Sequence, residues 1–254
     1  MPVVSIVTPV FGASVNYLTE AHHSLLAQDL PAGWDWEWLV QEDGDGGTVR
    51  DRLPDDPRIR FGAARHGGPH VARTMALARA RGPLVKNLDA DDVLPPGTLA
   101  RDIHTLTADP DVAWTTSRVL DLLPDGSTVG FDADPPQGRI ERGAVIAHWK
   151  RHDHRPQVHP ATLCLRTELV LALGGWMALP ASGDTGLLLA ANAVSTGYFH
   201  AEVGLLYRKW PGQHTAHVAH SHHERDERIG VIERRADAML ATGWHFQSSA
   251  QPAG

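Results

Sequence analysis

The chain has one cysteine, Cys164, among 254 residues, so no intramolecular disulfide shapes its fold. No uninterrupted apolar run approaches the roughly 20 residues that a membrane-spanning helix needs, so no integral membrane segment is expected. The opening residues, Met1 to Val10, lack the basic start, long apolar middle and small-residue cleavage site of a signal peptide, so the expectation is a soluble, cytoplasmic protein. Positive charge is in short supply: 23 Lys and Arg stand against 30 Asp and Glu, a formal charge of −7. That balance excludes the broad basic field by which proteins attract nucleic acid, and no nucleic-acid partner is expected. Internal repeats and low-complexity linkers are absent too, which argues against a second independent domain.

What is present is 42% hydrophobic and 21% charged, enough to bury the core of one large domain. Val3 to Val10 is a β-branched run ending near a proline, which predicts a first strand. Val15, Leu18, His22, Leu25 and Leu26 recur at helical spacing, and Trp36 to Val40 and Arg58 to Phe61 predict two further strands. Gly67-Gly68-Pro69 opens a helix expected to run to about Ala80, and Leu84 to Leu88 is a strand leading directly into Asp89-Ala90-Asp91-Asp92. Pro95-Pro96 should start the next helix, because proline suits the first helical position. This alternation predicts an α/β fold whose mostly parallel central sheet is flanked by helices, with ligands beyond the carboxyl ends of the strands.

The second half is less regular. Val112 to Thr116 and Val119 to Leu123 read as two strands, with a turn at Pro124 to Ser127 before Thr128-Val129. Ala161 to Leu165 reads as a buried strand holding Cys164 as a core residue, followed by a helix closed by Gly174-Gly175. A helix begins near Asp184 and stops at Gly197, and Val203 to Trp210 is a strand. Ser221 to Glu224 has the capping-box pattern and opens a C-terminal helix, with Ile229, Ile232, Ala236, Met239 and Leu240 on its apolar side and Gly243 at its end. Residues 247–254 read as a frayed tail.

Asp89-Ala90-Asp91-Asp92 carries the clearest chemistry, because acids crowded at a strand end call for a compensating cation. Their hard oxygens suit Mg²⁺ or Mn²⁺, ions that in turn bridge phosphate oxygens. Four segments follow one another: Val4 to Val10, Gln41-Glu42-Asp43-Gly44, Gly67 to Arg73, and Leu88 to Asp92. Together they resemble family 2 glycosyltransferases in order and approximate spacing. The resemblance continues more faintly through Gly174-Gly175-Trp176, Gly183-Asp184 and Tyr207 to His214.

The resemblance implies a GT-A fold in one domain over 1–254. A nucleotide-sugar-binding half would occupy 1–115, an acceptor-binding half 116–220 and a C-terminal helix 221–243. It implies an inverting transfer from a nucleoside-diphosphate sugar assisted by Mn²⁺ or Mg²⁺. Thr8, Pro9 and Val10 resemble the loop lining the nucleoside pocket. Asp43, with Glu42 beside it, is similar to the acid facing the nucleobase, which favours a UDP-sugar donor. Arg73 resembles the arginine near base and diphosphate. Asp89 would face the ribose, with Ala90 beside it, Asp91 would bind the metal, and Asp184 would be the general base. His214 is similar to a histidine that completes the metal shell or contacts the diphosphate.

The chain departs from the family pattern at Glu42, where Asp is usual, at Asp45 and Gly12, where Ser and Asn are frequent, and at Gly183, where an acid often precedes the base. Asp184 also stands where an N-cap would, and capping is compatible with the base role. His159 lies in the acceptor region, and Trp149, Trp176 and Trp210 are alternatives as core residues or as a stacking platform. Glu168 and His159 are the fallback bases. The five histidines His214, His217, His220, His222 and His223 read as a solvated stretch or as a transition-metal cluster. The acceptor is expected to be a soluble small molecule or peptide. Three other functional readings stay open, a nucleotidyltransferase releasing pyrophosphate, a sugar-nucleotide-binding module without turnover, and a histidine-rich metal-binding protein.

Overall fold

The computed structural model describes residues 1–213 and 222–249. Chain order gives β1 (Val3–Val10), α1 (Leu18–Leu26), β2 (Asp35–Asp43), β3 (Ile59–Ala64), α2 (Pro69–Ala76), β4 (Leu84–Asn87), α3 (Thr98–Ala108), β5 (Val112–Leu122) and β6 (Thr128–Val129). There follow β7 (Gly138–Ile140), α4 (Ala144–Arg151), β8 (Cys164–Arg166), α5 (Thr167–Ala172), α6 (Gly183–Val194), β9 (Thr196–Arg208) and α7 (His222–Ala241).

The strands form one sheet in the order β3-β2-β1-β4-β8-β5-β9-β7, with β6 hydrogen-bonded to β5. β1 pairs in parallel with β2 and β4, and β2 with β3. β8 runs antiparallel to both β4 and β5, so β5 and its parallel partner β9 point the same way as the first four strands. The mixed α/β fold with a mostly parallel sheet therefore matches the sequence expectation, and both halves of the chain share that sheet.

Strand alternation divides the core into two layers. On one face Val4, Ile6, Val10, Trp38 and Leu99 pack with Leu18 and Leu25 of α1. On the other Val7, Leu39 and Val85 meet Trp114, Trp149, Trp176 and the apolar faces of α6 and α7. Ile232 and Ala236 of α7 are buried in this second layer, with Ile229, Met239 and Leu240 packed against it. Cys164 is fully buried and burial pushes its thiol well above the ordinary range, consistent with a core residue.

Several local expectations are corrected. The two strands anticipated between Val112 and Leu123 are one strand, β5, whose register against β9 shifts around Ser117 and Arg118. These bulges keep the backbone paired while breaking the apolar alternation seen in sequence. Pro95-Pro96 forms a turn before α3, because Gly97 intervenes in a left-handed conformation and the Pro95 carbonyl accepts from the Thr98 N–H and hydroxyl. Ala161 and Thr162 lie in a 3-10 turn, and β8 begins only at Cys164. The strand expected from Val203 begins at Thr196. The tail is held at its start: Ser248 and Ser249 donate to the Glu168 carboxylate. Ser221 and residues 250–254 lie outside the described residues.

At the far edge of the sheet Asp56 accepts from the Arg58 backbone N–H and guanidinium and pairs with His22. Mainly the Arg58 hydrogen bond holds its carboxyl far below the usual range. Asp56→Ala is expected to lower stability at neutral pH by about 1–3 kcal/mol, the cost of leaving such donors unsatisfied. A depressed carboxyl stabilises above its unfolded pKa, so the difference between wild type and variant should shrink as pH falls through the acid range. Urea denaturation of both at pH 7 and in acid measures it.

Candidate active site

The parallel strands β2, β1 and β4 lie side by side, so their carboxyl ends bring Asp43, Pro9-Val10 and Asp89 to one edge of the sheet. A cleft of about 1380 Å³ opens there. Pro9, Val10, Asp43, Arg73, Asp89, Ala90, Asp91 and Asp184 all line it, although they span the chain from the first strand to α6.

Asp43 ends β2 and is almost fully buried. Its Oδ1 accepts the Gly67 and Gly68 N–H groups at 2.7 and 3.1 Å, and its Oδ2 lies 3.0 Å from His66 Nδ1. Gly68 has φ 91°, a conformation glycine adopts without strain, and this turns the two amides back toward the carboxylate just before α2. Asp43 thus fixes one wall of the cleft. At the mouth, the half-exposed Phe11 ring stacks on His66 at 4.6 Å. Sequence reasoning missed both rings; the aromatic directly after the β1 proline-valine pair was the available signal.

Arg73 is buried on α2 and ion-pairs with Asp89, with its Nη1 3.1 Å from His70 Nδ1. Burial opposes its charge, but Asp89 and Asp184 together hold it protonated. The acidic segment is no loose turn. Asp91 accepts from Trp210 Nε1 at 2.6 Å, and its carbonyl accepts from Arg208 Nε at 2.7 Å. Asp92 is buried, accepting the Arg208 N–H at 3.0 Å through Oδ1, while Oδ2 has no hydrogen-bond partner among the described residues. Burial first, and the neighbouring Asp89 second, push the Asp91 carboxyl above its ordinary value; Asp92 is raised further by the same causes with Asp91 added. These acids crowd one another where solvent cannot relieve the repulsion.

Asp184 sits in the first turn of α6 and lines the same cleft. The N-cap is Ser182, so Asp184 does not cap the helix; among the described residues its Oδ1 accepts the adjacent Thr185 N–H at 2.7 Å. Burial would raise its pKa, but the charges of Arg73 and of His70 when protonated outweigh burial, so the carboxyl titrates below its usual range. His159 also lines the cleft, its Nδ1 accepting the Ala161 N–H and its ring tilted against Tyr207. Burial lowers its pKa while Asp184 pulls the other way.

Some anticipated residues lie elsewhere. Thr8 shares the inward face of Val4 and Ile6, where its hydroxyl donates to the Leu88 carbonyl and accepts from Trp38 Nε1. Glu42 points to the face opposite Asp43, toward the Thr48 hydroxyl, as neighbours in a strand must. Neither lines the cleft. Trp149 and Trp176 are core residues, 1% and 2% exposed, whereas Trp210 borders the cleft. Glu168, engaged by the C-terminal serines, is outside it. His214, His217 and His220 lie outside the described residues, and so do the side chains of His222 and His223.

A sheet with nucleotide-sized space and convergent acids beyond its carboxyl edge defines the GT-A class of fold. Staphylococcus aureus TarS residues 1–349, solved with UDP-GlcNAc, superimposes with a TM-score of 0.69 at 19% identity, over 95% of this chain and 71% of that one. Residues 5–122 match the family Glycosyl transferase family 2. Among curated proteins, it is 33% identical over 141 residues to the O-antigen biosynthesis protein RfbC of Myxococcus xanthus. It is 36% identical over 96 residues to the putative teichuronic acid biosynthesis glycosyltransferase TuaG of Bacillus subtilis. These alignments take in 52% and 36% of this chain, and it spans 11% and 36% of those two proteins. No helix among the described residues is long and apolar enough to cross a membrane.

Proposed function

We propose that this domain transfers a sugar from a UDP-sugar to a hydroxyl of a soluble acceptor, inverting the anomeric carbon, with Asp184 as general base. The observation that carries the reading is the placement of Asp184 in the same cleft as Asp43, Arg73, Asp89 and Asp91. An inverting displacement needs one carboxylate near the acceptor oxygen and charge compensation on the opposite, leaving side. The cleft supplies an ionised carboxylate held below its ordinary pKa, together with Arg73 and the acidic segment. That the solved TarS structure carries UDP-GlcNAc supports the choice of donor.

In this scheme Asp43 and the Phe11–His66 pair meet the base, Asp89 and Arg73 meet ribose and diphosphate, and Asp184 removes the acceptor proton. A divalent cation fits the acidic segment. The carboxylate of Asp91 lines the cleft with Asp89 beside it, and its pKa is raised by burial first and by Asp89 second. Mg²⁺ and Mn²⁺ sites of one or two carboxylates completed by substrate phosphates have that composition. Asp91 would hold such an ion, with His214 as a further ligand, and bound there it would neutralise charge on the departing diphosphate. Thermal shifts with a panel of nucleotide sugars and Mn²⁺ test the donor: UDP-sugars should raise the melting temperature, and a preference for GDP- or CMP-sugars would overturn the choice of UDP.

Asp43→Asn bears on the base pocket. An amide has one acceptor oxygen where the carboxylate serves Gly67, Gly68 and His66. The expected result is UDP binding weakened by about 1–3 kcal/mol. Calorimetry at a temperature where both proteins are folded measures it; equal affinities would remove Asp43 from the pocket.

A further inference from the structure

The acid that often precedes the base in the family is absent here, and Gly183 stands in its place. The space beside it is taken by His70. The ring is 5% exposed, and its Nε2 accepts the Gly183 N–H at 3.1 Å. A Cβ on Gly183 would lie 2.5 and 2.7 Å from the ring's Cγ and Cδ2 and would also strike the Met177 carbonyl. The imidazole and the missing side chain therefore depend on each other. Ser182, at φ 62°, turns the chain so that the first N–H of α6 meets the ring instead of going unpaired.

We propose that His70 is a positioning residue for Asp184: by clamping the Gly183 N–H it sets the direction of the next side chain. The carboxylate leaves the backbone one residue after the clamp, so a shift of the Gly183 amide rotates it directly. His70 acts through the backbone, and displacement of about 1 Å at a reacting group suffices to slow catalysis strongly. This inference rests on Asp184 being the base.

The test compares His70→Leu, which fills the site without an acceptor, with His70→Gln, whose amide oxygen reaches about as far as Nε2. The reading is UDP released from the UDP-sugar that the wild type turns over fastest, alongside UDP affinity. His70→Leu should lower kcat about 10- to 100-fold, the range for a lost buried acceptor, while KM for the donor and UDP affinity change little. His70→Gln should recover most of that loss. Equal rates in all three proteins, or equal losses in both variants, would overturn the role. A wild-type measurement guards against misfolded variants: imidazole nitrogen NMR should show His70 Nε2 as an unprotonated, hydrogen-bonded acceptor at neutral pH. A protonated Nε2 would overturn the clamp. Were the wild type to release no UDP from any donor, the base reading would fail, and the NMR result would still decide the clamp on its own.

Discussion

Asp184→Asn is expected to lower sugar transfer by about 10²–10⁴, the usual range for removing a general base, with UDP binding retained and the protein folded, though melting lower because Arg73 loses a charge partner. The structure makes this substitution clean. Ser182 holds the N-cap position, and the hydrogen bond that Asp184 accepts among the described residues, from the Thr185 N–H, is one an amide oxygen keeps. Only the proton-accepting charge is lost. Near-normal transfer by a folded variant would take the base role from Asp184 and leave His159 as the cleft residue to test, since Glu168 is engaged elsewhere. The pH profile carries the same logic. Arg73 and, when protonated, His70 hold the Asp184 carboxyl below its ordinary value against the cost of burial, so the base form persists as pH falls into the usual carboxylate range. Once a diphosphate shares Arg73, that support weakens. The acid limb of kcat should therefore lie at higher pH than the acid limb of kcat/KM.

Asp91→Asn is the second large effect. The amide oxygen can still accept from Trp210 Nε1, so the link between the acidic segment and the end of β9 survives. What disappears is the charge at the proposed metal position. Loss of outer-shell partners alone costs metal sites about 10- to 100-fold in affinity, and removal of a direct ligand should cost more. In calorimetry the Mn²⁺-dependent increment in UDP affinity is expected to vanish, while the weaker metal-free binding through Asp43 and Arg73 remains. Because burial and Asp89 destabilise the charged form of Asp91, the variant should melt no lower than the wild type. An unchanged Mn²⁺ dependence would place the ion elsewhere.

The features legible in sequence were those that local chemistry announces. A β-branched run ending in acids marks a parallel strand delivering Asp89 and Asp91 to the carboxyl edge, and the same logic located Asp43. Less legible were contacts made by the fold alone. Trp210 and Asp91 are 119 residues apart, and no spacing rule joins them. Thr8 and Glu42 were assigned to the site by their place in motifs, yet strand alternation turns Glu42 away from the cleft and Thr8 is buried between the Leu88 carbonyl and Trp38. β7, three residues long, and α4, which has no side-chain cap and begins after the left-handed Gly143, gave too little pattern to be anticipated. His70 escaped notice because a histidine on a helix carries no signal until Gly183, 113 residues away, is folded against it.

Product analysis tests the central claim most directly. The protein would be incubated with Mn²⁺, a panel of UDP-sugars and a mixture of hydroxyl acceptors, and the nucleotide products separated by chromatography. The expected result is UDP, formed in step with a glycoside of inverted anomeric configuration and suppressed in Asp184→Asn. Tight UDP-sugar binding with no nucleotide released from any donor would contradict it and mark a binding module, and pyrophosphate formed from UTP and a sugar phosphate would mark a nucleotidyltransferase instead.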